Sequence, residues 1–352
     1  MKHARPGMIA ELPIYDSLGN LLSARNKELT VEFIRYIGKK GVNELFIRDW
    51  RVADVIVAPL FTPQTEGRVT EAIRQLILNH TGKPDIADND LNQAEDALSA
   101  MVGGMELNMV GEINVSCCFS PREYLYLQPV KTAALSLAIG RALNLASKDL
   151  VALGMAAILK DIGLSPEIIN AVDSLMEGGS ARMREHPIIA HKILSQHQIT
   201  TGKVAEAVLH HHENWSGRGY PQGLKGNAIS QNARIIAIAD AFVDLVSERP
   251  GRGKYMPHEA IEYIMAGGGD QFNPQLVEVF VRHIPSYPAG LSVQMNNGDI
   301  GIVCNSKLGF VARPTVRICS KIKEGLLRRP YDIDLAKPLS QNVMITKVLE
   351  YN

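Results

Sequence analysis

The chain has 352 residues, 46% of them hydrophobic, enough for two or three domains with real cores. Lys plus Arg and Asp plus Glu both number 37, so no net field exists to hold polyanionic nucleic acid or an anionic membrane surface. The four cysteines form neither a disulfide framework nor a CxxC pair, and apolar runs such as VALGMAAIL fall far short of the roughly twenty residues of a membrane span. The start, MKHARPGMIAEL, has no apolar stretch of the secretory kind. The expectation is a cytoplasmic protein in a reducing compartment, with neither nucleic acid nor membrane as partner.

In chain order, Met8 to Asp49 reads as a strand, a turn around Gly19 and Asn20, and a second strand. The helix TVEFIRYIGKKG, closed by Gly41, and a strand at NELFIRD follow, giving a small α+β module over residues 1–60. Residues 64 to 115 have helical spacing broken by GKPD and the glycines of MVGGM, so 61–120 are expected to be connecting helices. Their apolar faces suit a homodimer contact as readily as a core. From Glu123 to about His283 apolar residues recur at three and four almost continuously, which predicts a helical bundle over 121–285. LSVQMNNGDIGIVC sets Asn-Gly between alternating apolar residues, a hairpin signal, and PTVRICS supplies a further strand. A small β domain over 286–352 is expected. The fold class is therefore mainly α, a helical bundle flanked by a small N-terminal α+β module and a small C-terminal β domain.

Histidines and carboxylates gather on the apolar segments of the bundle. In AAILKDIGL, Lys160 and Asp161 stand where the pattern points inward; His186 precedes Pro187 ahead of IIAHKIL; His210, His211 and His212 end KVAEAVL; and Asp240 sits among apolar neighbours in RIIAIADAFVDLV. Singly, each reads as a core or cap residue. Together they suggest a shared cation, because burying unpaired carboxylates costs several kcal/mol. Histidine and aspartate without thiolate suit one divalent transition metal (Fe, Mn, Ni or Zn). The stretch HENWSGRGYPQGLKGNAIS follows at once. Its glycines, Arg218, Lys225, Trp215 and Tyr220 suit a phosphate and a stacked base as well as they suit a plain surface connection.

The words HHE, GYP, ARIIAIAD and ERPGR occur in an order that resembles the HD-GYP domain. That subgroup of the HD superfamily of metal-dependent phosphohydrolases cleaves the second messenger cyclic di-GMP. The resemblance covers about 121 to 285 and implies a two-metal site, here with departures. An upstream ligand histidine falls on Gln128, and the histidine of the His-Asp doublet falls on Lys160. Asp161, His186, His211, His212 and Asp240 keep ligand positions. The implied losses fall on one metal, which shares Asp161 and would use Asp240, while the Asp161, His186, His211 and His212 set of the other is complete. A lysine expected three residues after the doublet aspartate is Leu164, and an aspartate before the first glycine of the loop is Ser216. Tyr220, Arg249 and Arg252 match substrate-binding positions, and Asp161 with Lys160 occupies the catalytic one. Lys160 is read as a fixed charge standing in for the lost ion, since an ammonium has donors and no lone pair. Two functions follow from the resemblance. One is a regulatory module that binds cyclic di-GMP, a related nucleotide, or a protein partner through the GYP loop, with weak or no hydrolysis. The alternative is a phosphodiesterase working with an incomplete, one-metal site.

Overall fold

The computed structural model describes residues 4–16, 18, 20–42, 45–55, 61–80, 85–105, 121–164, 181–200, 202–247 and 253–349; for 121–125 and 181–183 it gives the backbone alone. In the N-terminal module, β1 (Ile9–Ala10) pairs with β4 (Lys27–Glu28) and β2 (Ile14–Tyr15) with β3 (Leu21–Ser23), all antiparallel. Helix α1 (Val31–Lys39) starts where the Thr30 hydroxyl accepts the Phe33 N–H at 3.1 Å, satisfying one of its free first-turn donors. The expected strand at NELFIRD is reduced among the described residues to one bridge, Ala10 to Ile47. The physical reason is that β1 is two residues long and already holds β4 on one side.

The bundle consists of α2 (Pro63–His80), α3 (Asp88–Gly103), α4 (Pro121–Ala142), α5 (Ser147–Leu159), α6 (Ala181–Leu194), α7 (Lys203–His210), α8 (Gln231–Val246), α9 (Pro257–Ala266) and α10 (Pro274–His283). One hydrophobic cluster runs through it from Phe61 to Ile284. Helix α2 packs on α3 and α4, and α3 on α5, so Val69, Ile73, Leu76, Leu91 and Leu98 lie in the same core as the site-bearing helices. These residues of the stretch that the sequence left open to a dimer contact are thus buried within the chain, while Leu78 of α2 is exposed. No described helix is long and apolar enough to cross a membrane.

The C-terminal sheet has the order β8-β7-β6-β5-β9, antiparallel throughout, with β5 (Ser292–Met295), β6 (Ile300–Asn305), β7 (Thr315–Lys321), β8 (Gly325–Asp334) and β9 (Ile345–Leu349). Its own small core is Val293, Met295, Val303, Val316, Ile318 and Leu335. The β5–β6 hairpin turns at the Asn-Gly pair as its sequence predicts. Arg317 on β7 fastens this sheet to the N-terminal module, donating to Asp54 Oδ2 at 2.9 Å and to the Arg51 carbonyl at 3.1 Å.

Candidate metal centre

Helix α5, SKDLVALGMAAIL, is so apolar that every residue from Leu153 to Leu159 is buried, and it carries the chain to the middle of the bundle before it stops. Lys160 caps it, and a tight turn follows in which Leu164 N–H donates to the Asp161 carbonyl at 2.9 Å. Polar side chains therefore leave the helix inside the core. Gly163 decides what meets them. A Cβ there would lie 2.2 Å from the His186 carbonyl oxygen and 2.7 Å from Ala190 N, a clash with backbone that nothing can yield to. Its absence lets α6 close on the turn and bring His186 to Asp161. Pro187 lies inside α6 and not at its start, where the sequence suggested a helix entry. His211 and His212 follow the last turn of α7, and Asp240 projects from α8.

The structure brings Asp161, His186, His211 and His212 together, with one ligand atom from each within 4.8 Å of all the others. His186 Nε2 is 3.4 Å and His211 Nε2 3.9 Å from Asp161 Oδ1, and the two Nε2 atoms are 3.2 Å apart. His211 Nδ1 donates to the Val208 carbonyl at 2.6 Å, which fixes the tautomer and turns the lone pair of Nε2 into the cluster. Burial, then the neighbouring His212, His186 and Lys160, pushes His211 well below the ordinary imidazole value. Burial and then His186 bring His212 down to about 4, against an opposing pull from Asp240 and Asp161. Both rings are neutral at pH 7, the form that ligates a cation. Donors within 4.8 Å of one another, with one carboxylate among imidazoles, fit a single divalent ion.

Beside this cluster the chemistry changes. Lys160 is 2% exposed, and its Nζ contacts Asp161 Oδ2 and lies 3.0 Å from Asp240 Oδ1. Gln128 Nε2 donates to the same Asp240 oxygen. Burial is the largest influence on Lys160 and opposes its charge, but Asp161 and Asp240 together raise it above its ordinary value. Burial is the largest single influence and would raise both carboxyls, but Lys160 first and the neighbouring histidines after it bring both below their ordinary values. The three groups are therefore charged at neutral pH. Asp240, expected as a metal ligand, faces the ammonium and lies outside the four-residue cluster. A protonated amine cannot ligate, so this side does not fit a second ion.

Tyr220 of the GYP loop stacks on His212 with ring centroids 4.7 Å apart and planes 24° from parallel. Burial lifts its phenol to about 12, so it keeps its proton. The loop is held from beneath by Glu213, a buried carboxylate that accepts the N–H of Gln222 at 2.7 Å and of Leu224 at 3.0 Å. Gly219 permits this fold-back, since a Cβ there would stand 2.2 Å from Asn214 N. Two residues that the sequence left open between ligand contact and surface connection have partners within the protein. Arg218 is paired with Asp270, and Trp215 lies under Arg234 at 5.6 Å while its backbone N–H donates to Gln271. Arg249 and Arg252 lie outside the described residues. His210 points away, toward Gln222 Oε1 at 3.2 Å. Sequence reasoning missed Glu213 although it adjoins the histidine pair. It also missed Gln128 as a donor to Asp240, and Gly163, whose role depends on a helix twenty residues downstream.

Comparison with known proteins places this geometry in context. Residues 114–276 match the family model described as HD domain. The chain is 32% identical over 199 residues to a cyclic di-GMP phosphodiesterase of Pseudomonas aeruginosa, a match covering 56% of this chain and 48% of that protein. It is 34% identical over 148 residues to the cyclic di-GMP phosphodiesterase response regulator RpfG of Xanthomonas campestris pv. campestris, covering 41% of this chain and 39% of the relative. The chain thus spans about half the length, or less, of the curated relatives it matches. Among solved structures, an HDG"Y"P protein from Bdellovibrio bacteriovorus aligns with a TM-score of 0.47 and 16% identity, over 79% of this chain and 94% of that one.

Proposed function

Since this chain is an HD-domain protein carrying the HHE and GYP words of the HD-GYP group, we propose that it works in cyclic di-GMP signalling as a degenerate member. In this reading it holds one divalent ion and binds cyclic di-GMP, a related nucleotide or a protein partner through the GYP loop, with weak or no hydrolysis. The observation that supports it is the position of Lys160, whose ammonium lies between Asp161 and Asp240 where the resemblance implies a second ion.

Asp161, His186, His211 and His212 would hold the ion. When bound, it supplies a Lewis acid and a more acidic water. Lys160 neutralises two carboxylates but has no lone pair with which to accept a proton or deliver a water. Gln128 reinforces this by donating to Asp240, so that one oxygen of that carboxylate is met by two donors. Two-ion hydrolases clamp both the attacking and the leaving oxygen, and each 1.4 kcal/mol of lost transition-state stabilisation slows the reaction about tenfold. Tyr220, neutral and stacked on His212, offers a phenol donor and a ring face at the edge of the cluster. The neutral His211 and His212 also favour a second reading, residual phosphodiesterase activity from the one-ion site.

The deciding experiment measures metal per chain on protein purified without chelator, and cyclic di-GMP turnover with added Mn or Fe. One ion and little turnover are expected. Lys160→His combined with Gln128→His is expected to raise the content to two ions and restore hydrolysis. Turnover in the native protein that Asp161→Ala abolishes would establish the one-ion enzyme instead, and two tightly held ions in the native protein would overturn both readings.

A further inference from the structure

Arg184 lies on α6, two residues before His186, and is exposed. Its guanidinium carbon is 5.6 Å from the centroid of the Tyr220 ring, whose other neighbour is His212. The Tyr220 ring therefore meets both an exposed guanidinium and an imidazole of the ligand cluster. No carboxylate pairs with Arg184 among the described residues, whereas Arg218 on the same loop system is neutralised by Asp270.

The charge of the site gives this placement a use. The pocket behind Tyr220 carries two carboxylates, Asp161 and Asp240, against the single ammonium of Lys160. A phosphodiester approaching it needs positive charge at the mouth as well as in the cluster. Lys160 cannot serve, being buried and already engaged by two carboxylates. Trp215, Arg218 and Arg234 are held in the loop's own packing. Arg184 is an exposed cation over an aromatic face, and its planar fork suits bidentate binding of phosphate oxygens.

We propose that Arg184 positions a phosphodiester of the nucleotide at the mouth of the site, clamping it over Tyr220. The inference rests on the reading of this chain as a cyclic dinucleotide binder. Calorimetric titration of cyclic di-GMP into native, Arg184→Gln and Arg184→Lys proteins tests it, with metal content and melting temperature measured on each. Arg184→Gln is expected to weaken binding about tenfold, equivalent to about 1.4 kcal/mol, without changing metal per chain or the melting temperature. Arg184→Lys should fall between, because it keeps the charge and loses the planar fork. Equal affinity of native and Arg184→Gln proteins would overturn this inference alone. A native protein that binds no cyclic di-GMP would overturn the parent reading and this one with it.

Discussion

A cluster of three histidines and a single histidine lie toward opposite ends of helix α6, and their surroundings give them opposite charge. At one end His186 joins His211 and His212 deep in the bundle, where burial holds His211 and His212 below the ordinary imidazole value. Just past the other end, His197 has Nδ1 2.6 Å from Asp88 Oδ1 and Nε2 3.0 Å from Asp85 Oδ1. Both of its ring nitrogens must carry protons to donate both ways, and the two carboxylates outweigh burial and raise it above its ordinary value. The two sites do not differ in having acids nearby, since Asp161 is 3.4 Å from His186. They differ in who answers the acids. At the metal centre Lys160 takes up the charge of Asp161 and Asp240, leaving the rings free to be neutral ligands. At His197 the ring itself is the cation.

Removing Lys160 should therefore make the first site resemble the second, with the largest effect of any single change. Taking one partner from a buried ion pair costs about 3–5 kcal/mol. The Asp161 and Asp240 side chains keep 28% and 20% exposure, which places Lys160→Met near the low end, about 3 kcal/mol by denaturant melting. Asp240→Asn added to it should recover part of the loss, and a melting curve unchanged by Lys160→Met would show that the ammonium carries none of this compensation. In the same variant the histidine titrations, followed by NMR, should move upward.

Cutting the ligand set comes next. Removing the partners that only orient a ligand already costs 10–100-fold in metal affinity, so His211→Ala should cost about 100-fold or more, while His210→Ala should leave affinity unchanged. His210 adjoins the pair in sequence but turns to Gln222. Equal losses in the two variants would break the division of labour drawn from the fold.

That contrast also marks how far the sequence could be read. His186, His211, His212, Asp161 and Lys160 were visible as polar residues placed where an apolar period points inward, and the structure gathers them. Asp240 was visible for the same reason, and reading Lys160 as a charge in place of the lost ion named the partner it meets; its second donor, Gln128, was not visible, because that contact depends on three helices meeting at one point. Glu213 and Gly163 act on backbone that the chain reaches only after folding, so no periodicity reports them. The loop residues Arg218 and Trp215 have the composition of a ligand site and the contacts of a scaffold. In the sheet, β8 escaped notice because it is an edge strand, mostly exposed and without clean alternation.

The smallest effect is the most direct test of the opposed signs. For His212, whose folded value is about 4 against about 6.5 unfolded, the unfolded chain binds more protons between those values, so stability falls as pH drops through that window. For His197 the folded value is raised, so its contribution is complete below about 6.5 and is lost as pH climbs through the folded value. The carboxylates that hold it are exposed on their outer sides, so solvent screening limits the contribution to about 1 kcal/mol or less. His197→Gln should therefore lower the melting temperature by a few degrees at pH 6 and hardly at all at pH 9, and leave unchanged the fall in stability that His212 gives as pH drops below 6. It should also loosen the start of α3, where Asp88 stands, with faster amide exchange there than at the metal centre. A loss as large at pH 9 as at pH 6 would mean that His197 holds α3 by packing, and the charge contrast between the two ends of α6 would then have no energetic consequence.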